Sequence, residues 1–386
     1  MRVLAIAYTN YSSDPRVMRE AEAIATRGDQ IEVLCLRKPG EKKVEYVEGV
    51  LVRHLPIQRY RGNRPASYIA SYLWFTIYAF FVITFLHLKN PYQIIHVHTM
   101  PDFLVFAAIV PRLLGAKVIL DMHDFMPETF GTKFGAGGLL WKLILITEKL
   151  STRFAHHIIT VHEPYVNLIN SRGVPAEKIT AILNLPDQRI FSPLPFNRNG
   201  KFTITYYGTI AERHGIDLFL KALARLKAES IPVHFLLIGE GDVLPEIKQL
   251  AEQLQIQDML ELIDRFVNVR EIPRYIQRTH LGIIPYRYDA ATRYMLPVKL
   301  LEYVFMDVPV VASGLDTIRS YFDEDMLRFV TPGDVEALAE AVADLYYSED
   351  SRDQLVKNAR RFTERYNWEK ESQNLYNLYD RLIHQA

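Results

Sequence analysis

The feature that most constrains this chain is a pattern that occurs twice: short apolar runs spaced by stretches of helical periodicity. In the first half the runs are "VLAIAY", "QIEVLCL", "QIIHVH", "AKVILDMH" and "HHIITVH", with the amphipathic "DPRVMREAEAIATRG" between the first two. Strands without polar alternation are buried on both faces, which is the condition of a parallel sheet covered by crossover helices. The segment "NLPDQRIFSPLPFNRNG", Asn184 to Gly200, interrupts the pattern with three prolines and no helical periodicity, so it reads as a linker. The pattern then restarts with "KFTITYYG", "IDLFLKALARLKA", "PVHFLLIGEGD", "LGIIPY" and "VPVVAS". The sequence therefore predicts an α/β chain of two doubly wound domains with parallel sheets, over 1–190 and 198–352. Ligands of such sheets bind beyond the C-terminal ends of the strands, and two such domains are expected to leave a cleft between them.

Composition removes other classes. Lys+Arg and Asp+Glu both number 45, so no global field recruits nucleic acid. The single cysteine, Cys35 in "IEVLCL", reads as a small buried hydrophobe; a chain with one thiol forms no internal disulfide, which suits a reducing compartment. The opening "MRVLAIAYTNYSSDPR" has one basic residue and no small-residue cleavage site, so it reads as a first strand and the expected location is cytoplasmic.

Chemistry gathers in loops of the second half. "YYGTIAERHGID" places Gly208 at a strand end and Arg213 and His214 before the next helix, a pair of cations suited to a diphosphate. "LLIGEGD" adds a Gly-x-Gly turn. In "YMLPVKLLEYVFMDVPVVAS" Pro297 suits the first position of a helix, with Val298 and Lys299 in its first turn. Glu302 follows Lys299 at a spacing of three among apolar neighbours. A carboxylate there would repel phosphate but can accept hydrogen bonds from the vicinal hydroxyls of a ribose.

These motifs, with "FVTPGDVEALAEAV", "SSDPRVMREAEAIATRGDQIEVLCL", "GAKVILDMHDFMPE" and "ILNLPDQRIFSP", resemble the retaining glycosyltransferases of family 4 over nearly the whole chain. The resemblance implies the GT-B fold of two facing Rossmann-like domains, a nucleoside-diphosphate sugar as donor, no metal and no other cofactor. It also implies a C-terminal helix, 353–386, crossing back to the first domain. It makes Glu302 the second glutamate of a Glu–seven residues–Glu motif. The first falls on Tyr294, which has no carboxylate, and the usual Gly-Arg with Lys-Gly appears here as Gly208-Thr209 with His214-Gly215. A histidine in place of that lysine predicts donor binding that titrates near neutrality.

In the first half, the resemblance makes His123 of "LDMHDFMPE" the catalytic-side histidine facing the donor sugar; Asp124 and Glu128 share its loop as weaker catalytic candidates. Asp14-Pro15-Arg16 fits a helix cap, and Arg16 and His98 are candidates for the acceptor side. His96 and His98 alternate on one strand face, but no third ligand of matching spacing is evident, so no metal site is predicted. "DED", Asp323 to Asp325, reads as solvated surface.

From Pro65 to Leu88 there is no Asp, Glu, Lys or Arg, a length sufficient for the ~20 residues that span a bilayer. The flanking strands "GVLVRHLPI" and "QIIHVH" belong to one sheet, so a single crossing is excluded, and the helix either packs in the core or lies in the membrane surface. Arg59, Arg61 and Arg64 precede it, and "GGLLWKLILITEKLSTR" adds a second apolar helix with Lys142, Lys149 and Arg153. Basic groups beside apolar helices suit anionic lipid. The expected protein is a cytoplasmic glycosyltransferase on the inner face of the membrane, acting on a lipid-linked or other glycan acceptor in surface-polysaccharide assembly. A nucleotide-sugar epimerase on the same fold, or a donor-binding protein without catalysis, are the rival readings.

Overall fold

The computed structural model describes residues 1–60, 65–123, 125–134, 137–195 and 200–384. Arg61, Arg64 and Asp124 lie outside the described residues. The chain divides into two units, Met1–Asn184 with Glu369–Ala386, and Leu185–Trp368.

The first unit is an eight-stranded sheet in the order β3-β4-β2-β1-β5-β6-β7-β8. Its strands are β1 (Arg2–Ala7), β2 (Gln30–Leu36), β3 (Val44–Val47), β4 (Val50–Leu55), β5 (Ile94–His98), β6 (Lys117–Met122), β7 (His157–Thr160) and β8 (Ile179–Ala181). All neighbours pair in parallel except β3 with β4. That hairpin was not legible in the sequence: β3 is half-exposed, and its turn rests on Glu48 and Gly49, both with positive φ. Cys35 is buried in β2 and burial pushes its thiol up to about 12, as expected of a structural cysteine.

The second unit is a six-stranded, wholly parallel sheet in the order β11-β10-β9-β12-β13-β14. Its strands are β9 (Phe202–Tyr207), β10 (Val233–Ile238), β11 (Leu260–Ile263), β12 (Leu281–Ile284), β13 (Val310–Ser313) and β14 (Arg328–Val330). Both sheets are open and doubly wound, as the apolar runs predicted. Strand order reverses between β1 and β5 in the first unit and between β9 and β12 in the second, and such switch points are where α/β sheets bind ligands.

The C-terminal segment divides later than 353. The helix Glu349–Arg365 buries Ala359 and Phe362, and Phe362 stacks on Phe322 of the second unit at 4.6 Å. Only the last helix, Trp368–His384, joins the first unit, where Arg27 pairs with Asp380 and Tyr379 donates to or accepts from His96 at 2.7 Å.

The uncharged run forms one helix, Pro65–Lys89, with two apolar faces. Phe75, Ala79 and Ile83 are fully buried, while Leu73, Trp74, Ile77, Phe81 and Phe85 are exposed. Most of this apolar helix is not covered by the rest of the protein. The helix is thus both a core crossover and an uncovered apolar ridge, an outcome that the choice between core and interface did not anticipate.

Candidate functional site

At the β9/β12 switch point the backbone is drawn together by glycines. Gly208 follows β9 with φ +112, and a Cβ there would sit 3.0 Å from Lys299 Nζ. Gly239 follows β10, and any Cβ on it would lie 1.9 Å from the Gly208 carbonyl oxygen, so no other residue fits without moving the turn. The turn is fixed further by two donors to the Thr209 carbonyl: Tyr206 Oη at 2.8 Å and His214 Nδ1 at 2.7 Å. Gly208 and Thr209 themselves stay exposed.

His214 is buried against Tyr286, rings stacked at 4.6 Å, and burial with Lys299 nearby lowers its pKa to about 3. It is a neutral brace for the turn, which corrects the expectation of a histidine cation at the diphosphate. Arg213 is half-buried, and among the described residues its Nε has no partner and its side chain makes no hydrogen bond to a carboxylate. Arg287 holds the backbone here: its N–H donates to the Arg213 carbonyl at 3.0 Å while its guanidinium pairs with Asp217.

Pro297 is the cap of the helix Val298–Phe305 rather than its first residue, with ψ 126, one position earlier than predicted. Val298 and Lys299 open the helix. The Lys299 ammonium lies 3.9 Å from the centre of the Tyr206 ring and burial lowers its pKa to about 7, against a weaker opposing pull from Glu302. Glu302 is 7% exposed and its Oε2 accepts a 2.6 Å hydrogen bond from Tyr207 Oη. Gly208, Thr209, Arg213, Lys299 and Glu302 are therefore gathered around one turn. Tyr294 sits in the preceding turn Thr292–Tyr294 with the Arg293 guanidinium 5.2 Å over its ring; Arg293 in turn pairs with Asp316. Tyr206, Tyr207 and Tyr286 were missed from the sequence, because an aromatic pair at a strand end reads as core and Tyr207 meets Glu302 across 95 residues.

The corresponding place in the first unit is differently built. Asp14 caps the helix Pro15–Thr26 by accepting from Val17 N–H, as predicted. The next residue but one, Arg16, is 2% exposed and forms a two-pronged bond to Asp121 at 2.9 and 3.0 Å, with its third arm on the Ile182 carbonyl. It also lies 3.1 Å from Glu20. Arg16 is therefore spent on the interior and not offered to an acceptor, because the carboxylates that compensate it come from its own helix and from β6. His98 is buried and held neutral, its pKa lowered to about 3 by burial and His96, so it too faces the interior. His123 Nε2 lies 2.9 Å from Asp121 Oδ2 and 3.1 Å from His98 Nδ1. Burial opposes charge on His123, yet Asp121 outweighs it and raises its pKa. Of this cluster His123 alone keeps appreciable exposure, 17% of its side chain.

Glu20, His96, His98 and Asp121 present ligand-type atoms within 4.8 Å of one another, bringing in the partners that the His96–His98 spacing lacked. Arg16 contacts both carboxylates of this group. Glu128 is paired with Arg172, which also binds Glu148 at 2.6 Å. The structure thus places Glu128 in a structural ion pair and not in a catalytic pair with His123. Asp323, Glu324 and Asp325 are exposed and pair with Arg361 and Arg319, as a solvated loop should.

Residues 13–184 match the family model described as "Glycosyl transferase 4-like domain", and residues 188–362 the one described as "Glycosyl transferases group 1". A putative colanic acid biosynthesis glycosyltransferase, WcaL of Escherichia coli, is 22% identical over 90% of this chain and 91% of its own length. The phosphatidylinositol N-acetylglucosaminyltransferase gpi3 subunit of Schizosaccharomyces pombe is 22% identical over 83% of this chain, a match that spans 66% of that subunit. Among solved structures, HepE of Anabaena in complex with UDP-glucose superposes with a TM-score of 0.74 at 14% identity, covering 98% of this chain and 99% of that one.

Proposed function

The chain is a glycosyltransferase with the GT-B fold, and from that we propose its reaction: transfer of a sugar, with retained anomeric configuration and without a metal, from a nucleoside-diphosphate donor to a lipid-linked glycan intermediate. The observation that carries this is the pair of cations at the β9/β12 switch point. Arg213 and Lys299 flank an exposed glycine turn, and among the described residues neither is hydrogen-bonded to a carboxylate. A half-buried cation that no carboxylate hydrogen-bonds is only partly compensated, Lys299 by the pull of Glu302, and a diphosphate supplies the missing acceptor. Glu302, one helical turn from Lys299, then accepts from the ribose. His123 is the first-unit residue proposed to meet the donor sugar. The likeness to a UDP-glucose-bound fold supports the donor class, and the relatives in polysaccharide and glycolipid synthesis support the acceptor class.

The acceptor's membrane setting rests on the apolar ridge. Leu139, Leu143, Ile146 and Leu150 of the helix Gly138–Phe154 add further exposed apolar side chains, interleaved with exposed Lys142, Lys149 and Arg153. Apolar groups with cations among them suit an anionic lipid surface, so the enzyme works as a peripheral protein of the cytoplasmic face.

A screen of radiolabelled nucleotide sugars with and without lipid extract tests the reaction: label moving to lipid is the expected result. A changed sugar still on its nucleotide would make the protein an epimerase, and binding without turnover would make it a donor-binding protein. For the membrane surface, Trp74→Glu and Phe81→Glu, both at exposed positions, should leave the melting temperature unchanged and abolish co-sedimentation with anionic vesicles. Wild type that ignores such vesicles would end the peripheral-membrane proposal.

A further inference from the structure

The end of β9 carries a side chain whose role the donor reading does not yet use. Tyr207 is 6% exposed, its ring packs edge-on against Tyr303 at 5.2 Å, and Tyr303 is itself tied to the Thr205 carbonyl at 2.7 Å. The phenol is thus held rigidly, and its hydroxyl donates to Glu302 Oε2 at 2.6 Å inside the protein. A bond this short to a carboxylate is charge-assisted and fixes the rotation of the acceptor, not only its position. Burial, reinforced by the Glu302 charge, drives the Tyr207 pKa well upward, so the hydroxyl stays a donor at any working pH. Burying such a pair is costlier than burying two apolar residues, and the pull of Glu302 on Lys299 offsets only part of that cost, since burial still lowers the lysine pKa.

We infer that Tyr207 is a positioning residue for the donor: it aims the Glu302 carboxylate at the ribose before the nucleotide arrives. The inference rests on the donor reading above. Preorganised acceptors bind a hydroxyl without first giving up rotational freedom, so loss of the aiming bond should weaken recognition of the ribose and nothing else on the nucleotide.

The test is calorimetry with UDP, ADP, GDP and CDP, followed by the tightest of these against its 2′,3′-dideoxy counterpart. Wild type should prefer the ribose form by about ten-fold, the worth of a charged hydrogen bond. Tyr207→Phe, which keeps the ring packing, should bring the preference down to about three-fold while dideoxy affinity is unchanged. Adding Tyr207→Phe to Glu302→Gln should change nothing further. A Tyr207→Phe variant that keeps the wild-type preference overturns the inference, as does one that loses both ligands equally, the mark of a merely structural role. Tyr207→Leu serves the same comparison if the phenylalanine variant does not fold. Failure of the donor reading looks different: wild type then binds none of the four nucleotides, or Glu302→Gln leaves the ribose preference intact.

Discussion

The two sheets reverse strand order at equivalent places, yet their charges there are disposed in opposite ways. At β1/β5 a single arginine is enclosed by Asp121 and Glu20 and capped by a carbonyl, so its charge is satisfied by the protein. At β9/β12 Arg213 and Lys299 stand beside an exposed turn with no hydrogen-bonded carboxylate among the described residues. The first arrangement stabilises a fold around an internal ion pair; the second leaves part of its electrostatic demand to a ligand. Cationic residue types alone do not separate the two, since both places carry them. What separates them is whether a carboxylate is bonded directly to the cation, as Asp121 is to Arg16, or only pulls on it without a hydrogen bond, as Glu302 does on Lys299.

That contrast breaks most visibly in stability. Asp121→Ala would leave Arg16 buried without its main partner, and removing one member of a buried pair costs about 3–5 kcal/mol. The expected outcome is a large drop in melting temperature, or no folded protein. Arg213→Ala removes a cation that has no such partner and should melt within a few degrees of wild type. Equal losses for the two variants, measured by calorimetry, would show that Arg213 is structural after all.

Affinity should sharpen the same contrast from the other side. Each charged hydrogen bond to a diphosphate contributes on the order of 1.5–3 kcal/mol, so Arg213→Ala and Lys299→Ala should weaken nucleoside-diphosphate binding by roughly one to two decades. Arg16→Lys, where it folds, should leave that binding alone. Titration calorimetry decides it, and unchanged affinity in both Arg213→Ala and Lys299→Ala would remove the second switch point from the donor site.

How far these two places could be read without coordinates depended on how local their signals were. The glycine turn, Lys299 and Glu302 were legible because strand-end glycines and a proline-opened helix are short-range patterns. Asp14 as a cap was legible for the same reason. Arg16 was misread because its partner, Asp121, is 105 residues away and nothing near Arg16 announces burial. His214 was misread because its neutrality comes from Tyr286 and from Lys299, both distant in sequence. Glu128 looked catalytic by its loop, and only the fold brings Arg172 to it. The two-faced helix escaped because length and hydropathy report how apolar a helix is, not which of its sides is covered.

The smallest expected effect is a pH dependence, and it belongs to Lys299 where the sequence assigned it to His214. Burial lowers the Lys299 pKa to about 7, whereas His214, lowered to about 3, is neutral throughout the working range. The protonated lysine is the form that attracts phosphate. Below its pKa the empty site already carries that charge; above it the site must take up a proton in order to bind. Nucleoside-diphosphate affinity should therefore fall as pH rises from about 7.5 to 9, a range in which a terminal phosphate with a second pKa near 6 no longer changes charge. The limit is ten-fold per pH unit, and the observed slope should be a few-fold because Arg213 stays charged. Binding at pH 8 should also take up protons, visible as a calorimetric enthalpy that varies with the ionisation enthalpy of the buffer. Lys299→Arg, which cannot lose its proton in this range, should flatten both the slope and the buffer dependence. An unchanged slope in Lys299→Arg would put the titrating group elsewhere, and a flat slope in wild type would mean that the ammonium remains charged in the empty site despite its burial.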